Sequence, residues 1–136
     1  KNLLLLLNPA ELIDEDTQTM NVEASMEGLL DLVKNGRRNI IAVVNREGGL
    51  EGIITLDDLR PFMFKEEAYR SLTVRNIIKA PPAVITPEDS VVQIIRKFDE
   101  TNSWNLPVVG SDGRFNGFIS KSTVLNRYRK LLRDWQ

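Results

Sequence analysis

The stretch Gly52-Ile53-Ile54-Thr55-Leu56-Asp57-Asp58 returns 65 residues later as Gly117-Phe118-Ile119-Ser120-Lys121-Ser122-Thr123. A repeat at fixed offset constrains a fold more than any single element, because each copy has to be one supersecondary unit. The offset holds well beyond this stretch. The stripe Met26, Leu29, Leu30, Val33 becomes Val91, Ile94, Ile95, Phe98; Ser25 becomes Ser90, and Gly48 becomes Gly113. Chance does not keep a core stripe, a cap and two glycines in one register. The copies part at one chemically telling position, where Asp58 is matched by Thr123.

Each copy reads as strand, helix, strand, strand, helix. Leu3–Leu7 reads as a short helix stopped at Asn8-Pro9, and Thr17–Val22 as a short strand. Ser25 caps a helix that Gly36 ends, with the apolar i, i+3, i+4, i+7 spacing of a buried face. Ile40–Val44 is an apolar, β-branched run, and Glu47-Gly48-Gly49 turns it into a return strand, Leu50–Thr55. A helix over Leu56–Phe64 closes the copy, and polar residues 65–73 link it to the next. In the second copy Ser90-x-x-Gln93 forms a capping box before the helix. The last helix, Ser122–Trp135, carries Val124, Leu125, Tyr128, Leu131 and Leu132 on one side. The fold class is α/β (α+β), two β-α-β-β-α repeats with pseudo-twofold symmetry. The segments are 1–64, a linker 65–73, and 74–136.

Composition excludes more than it assigns. At 136 residues the chain can bury a core without staples. A net charge of −1 points to neither nucleic acid nor a lipid surface. Residues 11–27 nevertheless carry six acids and no base, and residues 121–136 five bases against Asp134. There is no cysteine for disulfides or thiolate chemistry, and no histidine, the commonest general base and metal ligand. No metal-ligand cluster and no Gly-x-x-x-x-Gly-Lys phosphate loop is present. Asp57 and Asp58 are neighbours on a helix and so diverge by about 100°. No catalytic residue, metal or required cofactor is therefore expected, and the chain is not read as an enzyme. Leu3–Leu7 is far shorter than a membrane span. The start at Lys1 suggests a piece of a longer protein.

The second copy carries Val74-Arg75-Asn76-Ile77-Ile78, Leu106-Pro107-Val108-Val109-Gly110-Ser111-Asp112-Gly113-Arg114 and Gly117-Phe118-Ile119-Ser120, and it resembles a cystathionine β-synthase (CBS) domain. The first copy resembles another, so residues 10–130 are similar to a CBS pair, or Bateman module. Arg37-Arg38-Asn39-Ile40, Phe64, Trp104-Asn105-Leu106-Pro107-Val108-Val109, Gly117-Phe118-Ile119-Ser120-Lys121-Ser122 and Tyr128-Arg129 resemble the cytoplasmic tails of bacterial CLC-type chloride channels and exchangers. That resemblance implies a regulatory homodimeric module on the cytoplasmic side of an integral membrane protein. Its own membrane domain would be the partner, with Leu3–Leu7 near the junction.

The CBS resemblance also implies a ligand, an adenine nucleotide such as ATP, ADP or AMP. Asp58 would accept from the ribose hydroxyls and Thr55 would face the phosphate, with Pro82, Ala83, Val84, Asn102 and Ser103 of the other copy completing the site. A carboxylate can accept two hydroxyls at once, and a helix N-terminus favours phosphate. Thr55-x-x-Asp58 is equally a capping box that needs no ligand. A related site would combine Thr123 with Gln18, Thr19, Arg37 and Arg38, but it lacks the ribose acid. Trp104 would stack on adenine or, entering a strand, pack in the core. The readings left standing are a nucleotide-sensing CLC tail, a ligand-free dimerisation module, and the CBS pair of another transporter or enzyme.

Overall fold

The computed structural model describes residues 3–14, 16–36 and 39–135. The chain divides into two compact units. The first-repeat unit holds Asp16–Pro81 with Gly113–Phe115, and the second-repeat unit holds Lys1–Glu15, Pro82–Asp112 and Asn116–Gln136.

In the first-repeat unit the order is β1 (Thr19–Asn21), α1 (Met26–Asn35), β2 (Ile40–Val44), β3 (Leu50–Thr55), α2 (Leu56–Leu59) and α3 (Glu66–Tyr69). The Ser25 side chain accepts from the Gly28 N–H, and Gly36 caps the far end of α1, as the spacing predicts. The sheet runs β1-β2-β3, parallel at its first pair and antiparallel at its second, with Ile41 opposite Ile54. The hairpin turns at Gly48, whose φ of 86° is open to glycine at little cost. Val22, Met26, Leu29, Ile41, Val43, Ile54, Leu59 and Val74 form the core.

The closing helix is shorter than the apolar pattern suggests. α2 stops at Leu59 and a 3-10 turn, Arg60–Phe62, follows instead of helix to Phe64. Pro61 is the physical reason, because it has no N–H and its ring clashes with a preceding carbonyl in a regular helix. Phe64 is left 92 % exposed.

The second-repeat unit contains α4 (Val91–Thr101), β4 (Asn105–Val109), β5 (Phe115–Ser120) and α5 (Lys121–Trp135), the tip of β5 being grouped with the other unit. Ser90 and Gln93 form the expected capping box. The first strand of this repeat shrinks to a single bridge, Ile85 to Val108. Ile85 donates to Pro107 O and Val109 donates to Ile85 O, each at 2.8 Å. Pro81, Pro82 and Pro87 have no N–H, so the flanks cannot extend the ladder. Leu3–Leu6 and Pro9–Leu12 are 3-10 turns. Leu12, Ile85, Val91, Ile94, Phe98, Leu106, Val108, Ile119 and Val124 form this core. No described helix is long and apolar enough to cross a membrane.

Candidate functional site

The repeated stretch becomes, in both units, the end of a buried strand running into a polar helix start. In the first-repeat unit Thr55 is the N-cap of α2, and Asp58 sits at the third helical position. The Thr55 N–H donates to Asp58 Oδ2 at 2.9 Å, and the Thr55 hydroxyl donates to the same oxygen at 2.8 Å. The second carboxylate oxygen, Oδ1, meets the Lys79 ammonium at 3.2 Å. Lys79 is brought there by the backbone. Lys79 N–H donates to Ile53 O at 3.1 Å and Ile53 N–H to Lys79 O at 2.9 Å, which adds this residue to the β3 edge. Gly52 permits the approach, since a Cβ there would come within 3.0 Å of Lys79 O and Ile78 Cβ. Desolvation by burial pushes the Asp58 carboxyl up, but the two Thr55 bonds and Lys79 outweigh it and hold its pKa below the usual range. Asp58 is thus a fixed anion with one oxygen committed to its own turn and the other turned to a cation. Asp57 points elsewhere, to an exposed pair with Arg60 at 2.9 Å.

The equivalent turn of the second-repeat unit is built differently. The Ser120 Oγ accepts from the Thr123 N–H at 3.1 Å and donates to Thr123 Oγ1 at 2.8 Å. Thr123 Oγ1 in turn lies 3.4 Å from Asp14 Oδ1. Asp14 reaches this turn as Lys79 reaches the other, through a backbone bond from its N–H to Phe118 O at 2.8 Å. Asp14 and Lys79 stand at the same 65-residue offset as Ile53 and Phe118. In each turn a hydroxyl therefore meets an acid, which the helix supplies in one unit and the bridged segment supplies in the other. Neither Lys79 nor Asp14 was singled out by the sequence motif; their signal lay in the repeat offset itself.

The other predicted residues have local roles. Thr55 and Asp58 lie in the first-repeat unit, whereas Pro82, Ala83, Val84, Asn102 and Ser103 lie in the second. Ala83 packs on the second core. The Val84 carbonyl accepts from Lys97 Nζ at 2.7 Å, and the same ammonium meets Asp89 Oδ2 at 2.6 Å. The Thr86 N–H donates to that oxygen too. Burial again raises the Asp89 carboxyl, while Lys97 and Thr86 lower it further than burial lifts it. Asn102 ends α4 in the left-handed region at φ 53°, a conformation asparagine tolerates, and Ser103 N–H donates to Phe98 O. Trp104 is not a core residue; it is 65 % exposed, with the Lys121 ammonium 5.3 Å from its ring centroid. Thr19 begins β1, and Gln18 Oε1 is buried without a hydrogen-bond partner among the described residues. Arg37 and Arg38 lie outside the described residues. No group of three or more acids able to hold a metal occurs among those described.

The comparisons with known proteins follow the repeat. The CBS domain family matches residues 10–65 and again 74–130. The chain belongs to the CBS domain family and is a tandem CBS pair, a regulatory module. It is 26 % identical over 115 residues to the arabinose 5-phosphate isomerase KpsF of Escherichia coli, covering 85 % of this chain and 35 % of that protein. It is 29 % identical over 132 residues to a CBS domain-containing protein of Dictyostelium discoideum, covering 90 % and 91 %. The chain thus spans about a third of the isomerase's length. Among solved structures, CbpB in complex with c-di-AMP superposes with a TM-score of 0.80 at 18 % identity, covering 98 % of this chain and 91 % of that one. The cytosolic domain of the Mg2+ channel MgtE in complex with ATP gives 0.73 at 20 %, covering 88 % and 48 %. These likenesses establish a shared mixed α/β fold.

Proposed function

We propose that the chain is an adenine-nucleotide-sensing CBS pair that regulates a larger protein. The observation that carries this reading is the Asp58 carboxylate, held ionised by Thr55 and Lys79 and 26 % exposed at its side chain. A fixed, accessible carboxylate accepts hydroxyl donors without first losing a proton. Solved relatives of the same fold are complexes with c-di-AMP and ATP, which supports a ligand of this chemical class. Asp58 would take the ribose and Thr55 would lie on the phosphate side. Pro82, Ala83, Val84, Asn102 and Ser103 are the further contacts that family resemblance implies.

The parent we favour is a CLC-type anion channel or exchanger, with the module on the cytoplasmic side and acting as a homodimer. Support comes from the Trp104–Val109 and Gly117–Ser122 phrases and from the partly exposed Leu125 and Leu132 along α5. Regulation requires that nucleotide bind two arrangements of the module with different affinity; tight binding alone shifts nothing. Chloride flux from liposomes holding the full-length parent tests this, with nucleotide changing flux in wild type and not in Asp58→Ala. Equal responses in both would remove Asp58 as the sensor.

Two specific observations favour other readings. The match to an isomerase supports a CBS pair that regulates an enzyme. The complete Thr55–Asp58 capping box supports a ligand-free structural module. Calorimetry with ATP, ADP and AMP separates the last from the rest, since a structural module gives no binding heat.

A further inference from the structure

The Asp58 turn contains a cation that no sequence motif assigns. Lys79 Nζ lies 3.2 Å from Asp58 Oδ1, and its side chain is 49 % exposed. Asp58 Oδ2 is already committed to the Thr55 N–H and hydroxyl, so an incoming hydroxyl has to use Oδ1, the oxygen that Lys79 holds. A ligand that takes Oδ1 therefore competes with the ammonium or shares the oxygen with it. An uncharged nucleoside offers Lys79 no anion in return. A nucleotide offers phosphate, a strong acceptor for an ammonium on a flexible stem.

Resting on the nucleotide reading above, we infer that Lys79 is the specificity residue of the Asp58 turn. It makes the phosphate a condition of binding and so selects nucleotides over nucleosides. The first unit thereby pairs an acceptor for hydroxyls with a donor for phosphate. The matched turn of the second unit has an acid at the same repeat position, Asp14 beside Thr123.

AMP and adenosine differ only by the phosphate, which makes them the right pair of probes. Titration calorimetry on the wild-type chain should give AMP at least about tenfold tighter binding than adenosine. Lys79→Met should bring the two within about threefold, with adenosine unchanged or tighter because Oδ1 has been released. Lys79→Arg keeps the cation and should keep most of the preference. Thermal melting of both variants shows whether they fold, and the half-exposed side chain predicts melting close to wild type. An AMP preference that survives Lys79→Met intact overturns the assignment, as does one that Lys79→Arg abolishes just as completely. Wild-type chain that binds neither probe overturns the nucleotide reading itself, a result distinct from either of these.

Discussion

The two polar turns share one sequence pattern and hold their charges in opposite places. In one, the helix supplies the acid, Asp58, and the residue bridged to β3 supplies the base, Lys79. In the other, the turn supplies hydroxyls, from Ser120 and Thr123, and the bridged segment supplies the acid, Asp14. Backbone geometry is shared, since Lys79 pairs with Ile53 as Asp14 pairs with Phe118. What differs is the charge offered outward. A repeat can thus keep its fold while its copies diverge in chemistry, because core register and turn charge are set by different residues.

The largest effect should come from the two cores rather than the turns. Leu59 and Val124 occupy matched positions, and each is almost completely buried. Leu59→Ala should cost about 2–5 kcal/mol of unfolding free energy in a urea titration. Val124→Ala removes fewer methyl and methylene groups, at about 0.8 kcal/mol each before any cavity cost, and should cost less. A larger loss at Val124 would break the claim that the two cores are equivalent.

The Lys97–Asp89 lock exists in one copy only, the first repeat having Leu32 and Ala24 at those positions. Lys97→Met should destabilise by about 1.5–3 kcal/mol, the range for a hydrogen bond to a charged group. It should also loosen protection of the Ile85 amide in hydrogen exchange, since Val84 O and Asp89 are released together. An unchanged exchange rate would show that the proline-flanked segment is held by Ile85 alone.

A smaller effect is the acid limb of stability. The Asp58 and Asp89 carboxyls are both lowered on folding. A depressed folded pKa gives stability that is full above the unfolded value, about 3.9, and is lost as pH falls through the folded one. Melting temperature should therefore drop below about pH 4. In Asp58→Asn and Asp89→Asn the drop should be shallower. Parallel acid limbs in variant and wild type would contradict the assigned ion pairs.

Much of this architecture was legible in the sequence, for identifiable reasons. The strands Ile40–Val44 and Leu50–Thr55, the caps Ser25 and Ser90, and the stripe of α4 announce themselves through periodicity and capping chemistry. Helix α2 ends before its apolar pattern does, because Pro61 is a single residue within that pattern. The sequence places Trp104 either on a ligand or in the core, but it lies exposed beside Lys121, since strand entry does not say which face an aromatic takes. Thr55 and Asp58 were found by motif. Lys79 and Asp14 were not, because no local motif marks them; only the repeat offset relates them, and each gains its partner when its backbone bonds to a strand edge.

Of the two turns, the Asp58 turn alone is proposed to take an adenine nucleotide. The most direct measurement of this is a calorimetric titration of wild type, Asp58→Ala and Thr123→Ala with ATP, ADP and AMP. At most one nucleotide should bind per chain. Asp58→Ala should weaken it about tenfold or more, the loss of one charge-assisted hydrogen bond, and Thr123→Ala should change little. Two nucleotides per chain, or equal losses from both substitutions, would contradict it.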